Sequence, residues 1–247
     1  MEFSPARKAV PGPLAVALAA LVLLGFLVAG PAVGRADAAS LVLYKNALDS
    51  AGKRSQVKQY GSKARCNAGG STKAFRFSLG QQTKDCFYRI PVVGKSVEVT
   101  GVGVLLKSTP TAIRGRTWLA VSTRQASNGS RYQLTVFPAQ RKIQLRKVLG
   151  DGQIEYLAVE KSVRQVAKPG GSNRMTLRAF DGVSGIPSGT TRIVAWVNGV
   201  RIAVVDDPNG SQLSGRFSTF SIGSGGNAYR ATGSFRNLAM RIPDPFG

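Results

Sequence analysis

Apolar and polar residues alternate with a period of two along most of this chain. In Arg131-Tyr-Gln-Leu-Thr-Val136, Tyr132, Leu134 and Val136 share one face, while Arg131, Gln133 and Thr135 share the other. Ile143 and Leu145 alternate in the same way with Lys142, Gln144 and Arg146, and Met175, Leu177 and Ala179 with Arg174, Thr176 and Arg178. A strand with that rhythm lays one face on a core and turns the other outward. Gly, Pro, Ser and Asn separate the runs, and helical periodicity is almost absent. The pattern predicts about a dozen short strands, near residues 41–45, 73–79, 86–90, 97–106, 116–122, 130–137, 142–148, 153–159, 174–180, 191–197, 200–205, 216–222 and 234–242. Strands at this spacing form an antiparallel sandwich or barrel.

Residues 39–247 show no break in composition and read as one domain. The Lys-, Ser- and Gly-rich stretch 49–72 reads as a long polar connection, and 168–172 and 181–189 as loops inside the domain.

The last fifty residues narrow the fold. Arg192-Ile-Val-Ala-Trp-Val-Asn198-Gly199-Val-Arg-Ile-Ala-Val-Val-Asp206 is two apolar runs joined at Asn-Gly. That dipeptide is the preferred centre of a tight hairpin, because both residues tolerate positive φ. Gly215-Arg-Phe-Ser-Thr-Phe220 follows, and then Gly233-Ser-Phe235-Arg-Asn237-Leu-Ala-Met-Arg241-Ile-Pro243. The order of hairpin, Gly-x-Phe strand, Gly-rich loop and closing Phe-x-Asn-Leu-x-x-Arg strand resembles the end of a concanavalin A-like jelly roll. That superfamily includes laminin G-like modules and glucanases. The strands at 130–137 and 142–148 are similar to a pair found in the same superfamily. The resemblance implies an all-β, antiparallel jelly-roll sandwich over 39–247 and, for most members, the handling of carbohydrate. Function still has to be argued from a site, because this fold hosts lectins, hydrolases and structural modules.

The N-terminal residues belong to a different class. Arg7 and Lys8 precede an unbroken apolar run, Leu14 to Val28, and Ala36-Asp37-Ala38 offers an A-x-A cleavage site. Residues 1–38 read as a signal peptide. The uncharged stretch from Ala9 to Gly34 also meets the ~20 residues that a membrane anchor needs. Either reading places the remainder outside the cytoplasm, with membrane contact only through this segment if it is retained.

The chain has 34 Lys and Arg, 12 Asp and Glu and no His, for a net charge of +22. Without Arg7, Lys8, Arg35, Glu2 and Asp37 the balance is 31 against 10, or +21. A positive field of this size attracts polyanions, among them phosphate- and uronate-bearing cell-wall polymers. An Arg-rich surface set by codon usage would give the same totals. Export and the lack of an aromatic-basic RNA-binding motif argue against nucleic acid as the partner.

Cys66 and Cys86 are the only cysteines, and an exported chain makes a disulfide between them the default. Two Cys with no His do not make a zinc site. The missing His also excludes Ser-His-Asp and Cys-His nucleophiles. Glycoside hydrolysis needs two carboxyl groups flanking the bond. In the glucanase branch that the sequence resembles, they lie in a Glu-x-Asp-x-x-Glu motif, which is absent here. Glu155 and Glu160 would fall on opposite faces of an unbulged strand. The expectation is therefore a binding module and not an enzyme. Glu98, Glu155 and Asp206 are the first suspects for a diverged hydrolase.

Asp206, Asp207 and Asn209 form the densest oxygen cluster and are the candidate Ca²⁺ ligands, since Ca²⁺ takes six to eight oxygens. The same residues suit a plain turn, so no cofactor is required. For a sugar, Trp118 is the stacking candidate, on the face opposite Leu119 and Val121 and beside Arg116. Trp196 lies in a strand apolar on both faces and reads as core. Tyr229, in the Gly223–Gly233 loop and beside Arg230, is the other exposed aromatic candidate. Arg131, Lys142, Arg146, Arg174 and Arg178 all point away from the apolar face and would line one cationic surface if their strands share a sheet. Arg suits that role because its planar fork holds carboxylate or phosphate oxygens in pairs. The expected partner is thus a glycan or an anionic cell-wall polymer, with an envelope protein as the alternative.

Overall fold

The computed structural model describes residues 40–60, 66–71, 74–79, 85–109, 116–182, 185–225 and 230–243. The signal or anchor segment and Tyr229 lie outside them. Among the described residues fifteen strands form two antiparallel sheets: β1 (Leu41–Asn46), β2 (Lys58–Tyr60), β3 (Cys66–Ser71), β4 (Ala74–Leu79), β5 (Asp85–Val93), β6 (Val97–Thr109), β7 (Thr117–Gln125), β8 (Arg131–Phe137), β9 (Lys142–Val148), β10 (Ile154–Glu160), β11 (Ser172–Asp181), β12 (Thr191–Val197), β13 (Val200–Asp207), β14 (Phe217–Ser224) and β15 (Arg230–Ile242). Sheet A runs β13-β12-β11-β6-β15-β4-β3, and β1 pairs with the second half of β15. Sheet B runs β10-β9-β8-β7-β14-β5-β2.

The alternation seen in the sequence decides what lies between the sheets. Tyr132, Leu134, Val136, Ile143 and Leu145 from sheet B meet Met175, Leu177, Ala179, Ile193 and Ala195 from sheet A, and all ten are buried. Phe75, Phe77, Tyr88, Phe220 and Phe235 form a ring cluster in the same core, with centroids 4.8 to 6.1 Å apart. Burial pushes the Tyr88 phenol up to about 12. The hairpin between β12 and β13 turns at Asn198 (φ 51°) and Gly199 (φ 83°), as the Asn-Gly pair requires. Asn198 also accepts a hydrogen bond from the Arg174 amide at 2.7 Å, which ties the turn to β11.

Residues 49–72 are not a plain connection. They hold a one-turn helix, α1 (Ala51–Arg54), capped by Ser50, followed by β2 and β3. Both strands sit at sheet edges, where one backbone ladder suffices and side chains need not alternate. This explains why the polar sequence gave no strand signal. Cys66 on β3 of sheet A and Cys86 on β5 of sheet B form the expected disulfide, Cα to Cα 5.8 Å, across the two layers.

A second set of cross-links is ionic. Arg124 takes a positive φ of 54°, which turns its side chain into the sandwich, where it is fully buried. Its fork reaches Asp181 Oδ1 (2.8 Å) and Thr191 Oγ1 (2.8 Å) on sheet A, and its Nε donates to the Lys95 carbonyl at 3.2 Å. Lys147 of β9 meets Asp207 of β13 at 2.7 Å, and the Tyr132 hydroxyl donates to the same carboxylate at 2.6 Å. Burial alone would raise Asp207 and Asp181. Hydrogen bonds from Lys147 and Tyr132, and from Thr191 and Arg124, hold both below the ordinary carboxylate value.

Candidate functional site

The outer face of sheet B carries a pocket of about 360 Å³ lined by Arg116, Trp118, Arg131, Lys142 and Arg146, with Asp85, Gln133, Phe137 and Tyr156. Strand register explains the convergence. Tyr156, Arg146, Gln133 and Ser122 are cross-strand partners from β10 to β7, so their side chains stand in one row. Phe137 pairs with Lys142 at the ends of β8 and β9, and Trp118 lies one strand further, opposite Gly223 of β14.

Trp118 faces away from the core and packs with Phe87, Ala120 and Phe137 in a second apolar cluster on this outer face. A Cβ at position 223 would overlap the indole, so the ring rests on the bare backbone of Gly223. One face of Trp118 is thereby covered, and with Phe87 and Phe137 packed around it the residue is only 7% exposed at the pocket wall. Tyr60, from β2, extends the same cluster and donates its hydroxyl to the Ser127 carbonyl at 2.9 Å, which ties β2 to the β7–β8 loop.

The cations are held by rings. The Arg146 guanidinium lies 5.6 Å from the Phe137 centroid and 5.7 Å from that of Tyr156, and Lys142 Nζ lies 5.1 Å from Phe137. Arg131 sits 4.5 Å over Phe87. Such contacts hold charge at a partly desolvated site. Burial lowers the pKa of both Arg131 and Arg146, yet both stay charged at neutral pH. Gln144 Oε1 accepts from Arg146 Nε at 3.0 Å and also from its Nη2, which orients the fork. Arg131 Nε and Gln133 Nε2 are buried without an acceptor among the described residues. Among the described residues four cations and one carboxylate, Asp85, line this cavity.

The structure divides the cationic surface that strand parity suggested. Arg131, Lys142 and Arg146 share sheet B, but Arg174 and Arg178 lie on β11 of sheet A and face the other side of the sandwich. Parity correctly says outward; it does not say which sheet is meant. Arg230 is exposed at the start of β15, on sheet A and outside both cavities. Trp196 is not core. It is partly buried on the outer face of sheet A, with Arg178 5.2 Å above its ring.

Asp206 and Asp207 do not converge on a cation. They alternate across β13: Asp206 forms a paired contact with Arg192 (2.8 Å and 2.8 Å), while Asp207 turns inward to Lys147. Asn209 gives its backbone amide to Asp207 Oδ1 in a turn. Among the described residues no three acidic, Cys or His side chains cluster as metal ligands.

Glu98, Glu155 and Asp206 sit on β6, β10 and β13 and are each engaged by a base: Arg178 for Glu98, Lys147 at 4.0 Å for Glu155, and Arg192 for Asp206. A bulge between Tyr156 and Ala158 resets the parity of β10. Glu155 and Glu160 then oppose Lys147 and Ile143, on one face and not on two.

Phe137, Gln133, Tyr156 and Gln144 were not singled out from sequence. Phe137 and Gln133 share the parity of Arg131, so the row could have been extended to them. Tyr156 could not be placed, because the bulge beside it hides the alternation.

No family model matches the sequence, and no curated protein does. Solved structures do match. A galectin-like-fold protein of unknown function from Bacillus subtilis superposes with a TM-score of 0.56 at 15% identity, over 82% of this chain and 96% of that one. The carbohydrate-binding module CBM66 from Bacillus subtilis gives 0.52 at 12%, over 75% and 95%. The Crh5 transglycosylase in complex with NAG gives 0.57 at 8%, over 82% and 84%. At these identities the likeness is one of fold, and it establishes that the described strands form a concanavalin A-like jelly roll.

Proposed function

We propose that residues 39–247 act outside the cytoplasm as a non-catalytic module that binds an anionic carbohydrate of the cell envelope in the pocket on the outer face of sheet B. One observation carries this reading: two buried donors, Arg131 Nε and Gln133 Nε2, lack acceptors among the described residues, in a cavity lined by four cations and by two rings of the outer face, the buried Trp118 and the exposed Tyr156. A carboxylate or phosphate on a sugar supplies those acceptors, and the ring of the sugar supplies an apolar face for Trp118 or Tyr156. The carbohydrate-binding module CBM66 supports the binding reading, and alginate lyase Aly36B, whose mutant is seen with an alginate trisaccharide, shows an acidic glycan on the same fold. Export is supported by the N-terminal pattern and by the Cys66–Cys86 disulfide.

Absence of catalysis rests on the carboxylates. Among the described residues Asp85 is the one acid on the pocket wall. Two-carboxylate hydrolysis needs a second acid beside the first, so this wall favours binding over hydrolysis.

The test is titration of the purified protein with oligogalacturonate and with a neutral oligoglucan of equal length, at low and high salt. Saturable binding of the uronate that survives moderate salt, and that falls in Lys142→Gln and Trp118→Ala with the fold retained, supports the proposal. Binding seen only at low salt, equal for every polyanion and indifferent to both substitutions, overturns it.

A second reading, docking of an envelope protein, is favoured by one feature. Edge strand β13 exposes Val200 and Val204, and among the described residues no further strand lies beyond it. Capture of a discrete protein together with indifference to both glycans would favour it.

A further inference from the structure

The outer face of sheet A holds a larger cavity, about 650 Å³, on the opposite side of the sandwich from the pocket above. Its floor is set by strand register. Lys45, Ala239, Thr100, Thr176 and Trp196 are successive cross-strand partners on β1, β15, β6, β11 and β12. Four steps at about 4.8 Å each make a row about 19 Å long. Small side chains occupy the middle of the row, and the Thr100 and Thr176 hydroxyls are hydrogen-bonded to each other at 2.9 Å. Larger residues flank it. Arg178 and Arg241 stand on one side around Glu98, at 2.9 and 4.0 Å, and Arg174 stands on the other. A bulge between Arg236 and Ala239, with Asn237 at φ 52°, opens the β15–β6 ladder beside the row. The result is a trough across the strands, with an indole at one end and an ammonium at the other.

Charge in this trough is unbalanced. Glu98 is shared by two arginines, while Lys45 and Arg174 have no acidic partner among the described residues. Arg241 Nε is buried without an acceptor among the described residues. Trp196 is held in place by Arg178 above its ring, so the aromatic end is preorganised. A cavity of this volume falls within the range of small-ligand sites. Length, net positive charge and an aromatic end together fit a short segment of an extended, anionic saccharide chain.

We infer that the domain has this second glycan site, on sheet A, and is therefore bivalent toward anionic polymers. The inference does not depend on the sheet B pocket being a site, although bivalency does. Each site holds one of the two tryptophans in the chain, Trp118 on sheet B and Trp196 on sheet A. Each can therefore report separately.

The experiment is fluorescence titration of the full chain with an oligogalacturonate tetramer. In Trp118→Phe, the emission of Trp196 should respond saturably, and adding Arg174→Gln and Lys45→Gln should weaken the response at least about tenfold, as expected for losing charge-assisted contacts. A silent Trp196 in Trp118→Phe overturns the second site, as does an equal response to a neutral oligoglucan. In Trp196→Phe, the emission of Trp118 tests the sheet B pocket by itself, so failure of one site is told apart from failure of the other. Turbidity of long-chain polygalacturonate should rise with the unsubstituted protein and not with Arg174→Gln/Lys45→Gln. Turbidity in both would overturn bivalency through this trough.

Discussion

Lys147 and Asp207 face each other at 2.7 Å across the two sheets, each only 4% exposed, with the Tyr132 hydroxyl on the same carboxylate oxygen. Removing one member leaves the other charged and buried. Asp207→Ala should therefore destabilise the domain by about 3–5 kcal/mol, read as a lower midpoint in urea. The pair also sets an acid limit. Folded-state values of Asp207 and Asp181 lie below the unfolded value, so their contribution is complete above about pH 4 and is lost as pH falls through the folded values. Urea midpoints should be flat through neutrality and drop on the acid side, with a shallower drop in Asp207→Asn.

Arg124 makes a different test. Its planar fork serves Asp181, Thr191 and the Lys95 carbonyl from a left-handed backbone position. A lysine keeps the charge and loses the fork. Arg124→Lys should not restore wild-type stability, and it should cost most of what Arg124→Ala costs, about 3 kcal/mol or more. Equal stability of Arg124→Lys and the wild type in a denaturant titration would refute the role given to the fork.

Gly223 bears on the pocket directly. Because the Trp118 indole occupies the space of a Cβ, Gly223→Ala forces the ring to move. Overpacking of this kind costs roughly 1–3 kcal/mol. In a Trp196→Phe background, the emission of Trp118 should shift while circular dichroism still shows the sandwich.

Cys66 and Cys86 close a loop with a sequence separation of 20. Replacing both with Ser should lower stability by roughly 3 kcal/mol, and reductant should lower the melting temperature of the wild type and leave that of the double variant unchanged.

How far the sequence foretold this molecule depends on the element. Where one face is buried and the other wet, as at Tyr132-Leu134-Val136 or Met175-Leu177-Ala179, alternation states both strand and direction. At β2 and β3 it states neither, because an edge strand needs only a partner backbone. Trp118 could be assigned outward from Leu119 and Val121 beside it. Trp196 misled, since Val194 opposite the core is itself nearly buried and makes β12 look apolar on both faces. Grouping Arg131 with Arg174 failed for a topological reason: chain order does not reveal that β11 has left the sheet of β8 and β9. The left-handed turn at Arg124 carries no composition signal, and so the buried fork was invisible.

Tyr156 stands on β10, which among the described residues pairs with β9 alone and is exposed along most of its length, Tyr156 itself at 54%. One wall of the sheet B pocket is thus carried by a strand that can fray while the remaining sheet stays intact. A ligand gripping Tyr156 would have to hold this edge strand in place, and any entropy given up would subtract from its affinity. The pocket then behaves less like a rigid socket than like a hinged jaw, whose grip depends on how long the outer hairpin stays zipped.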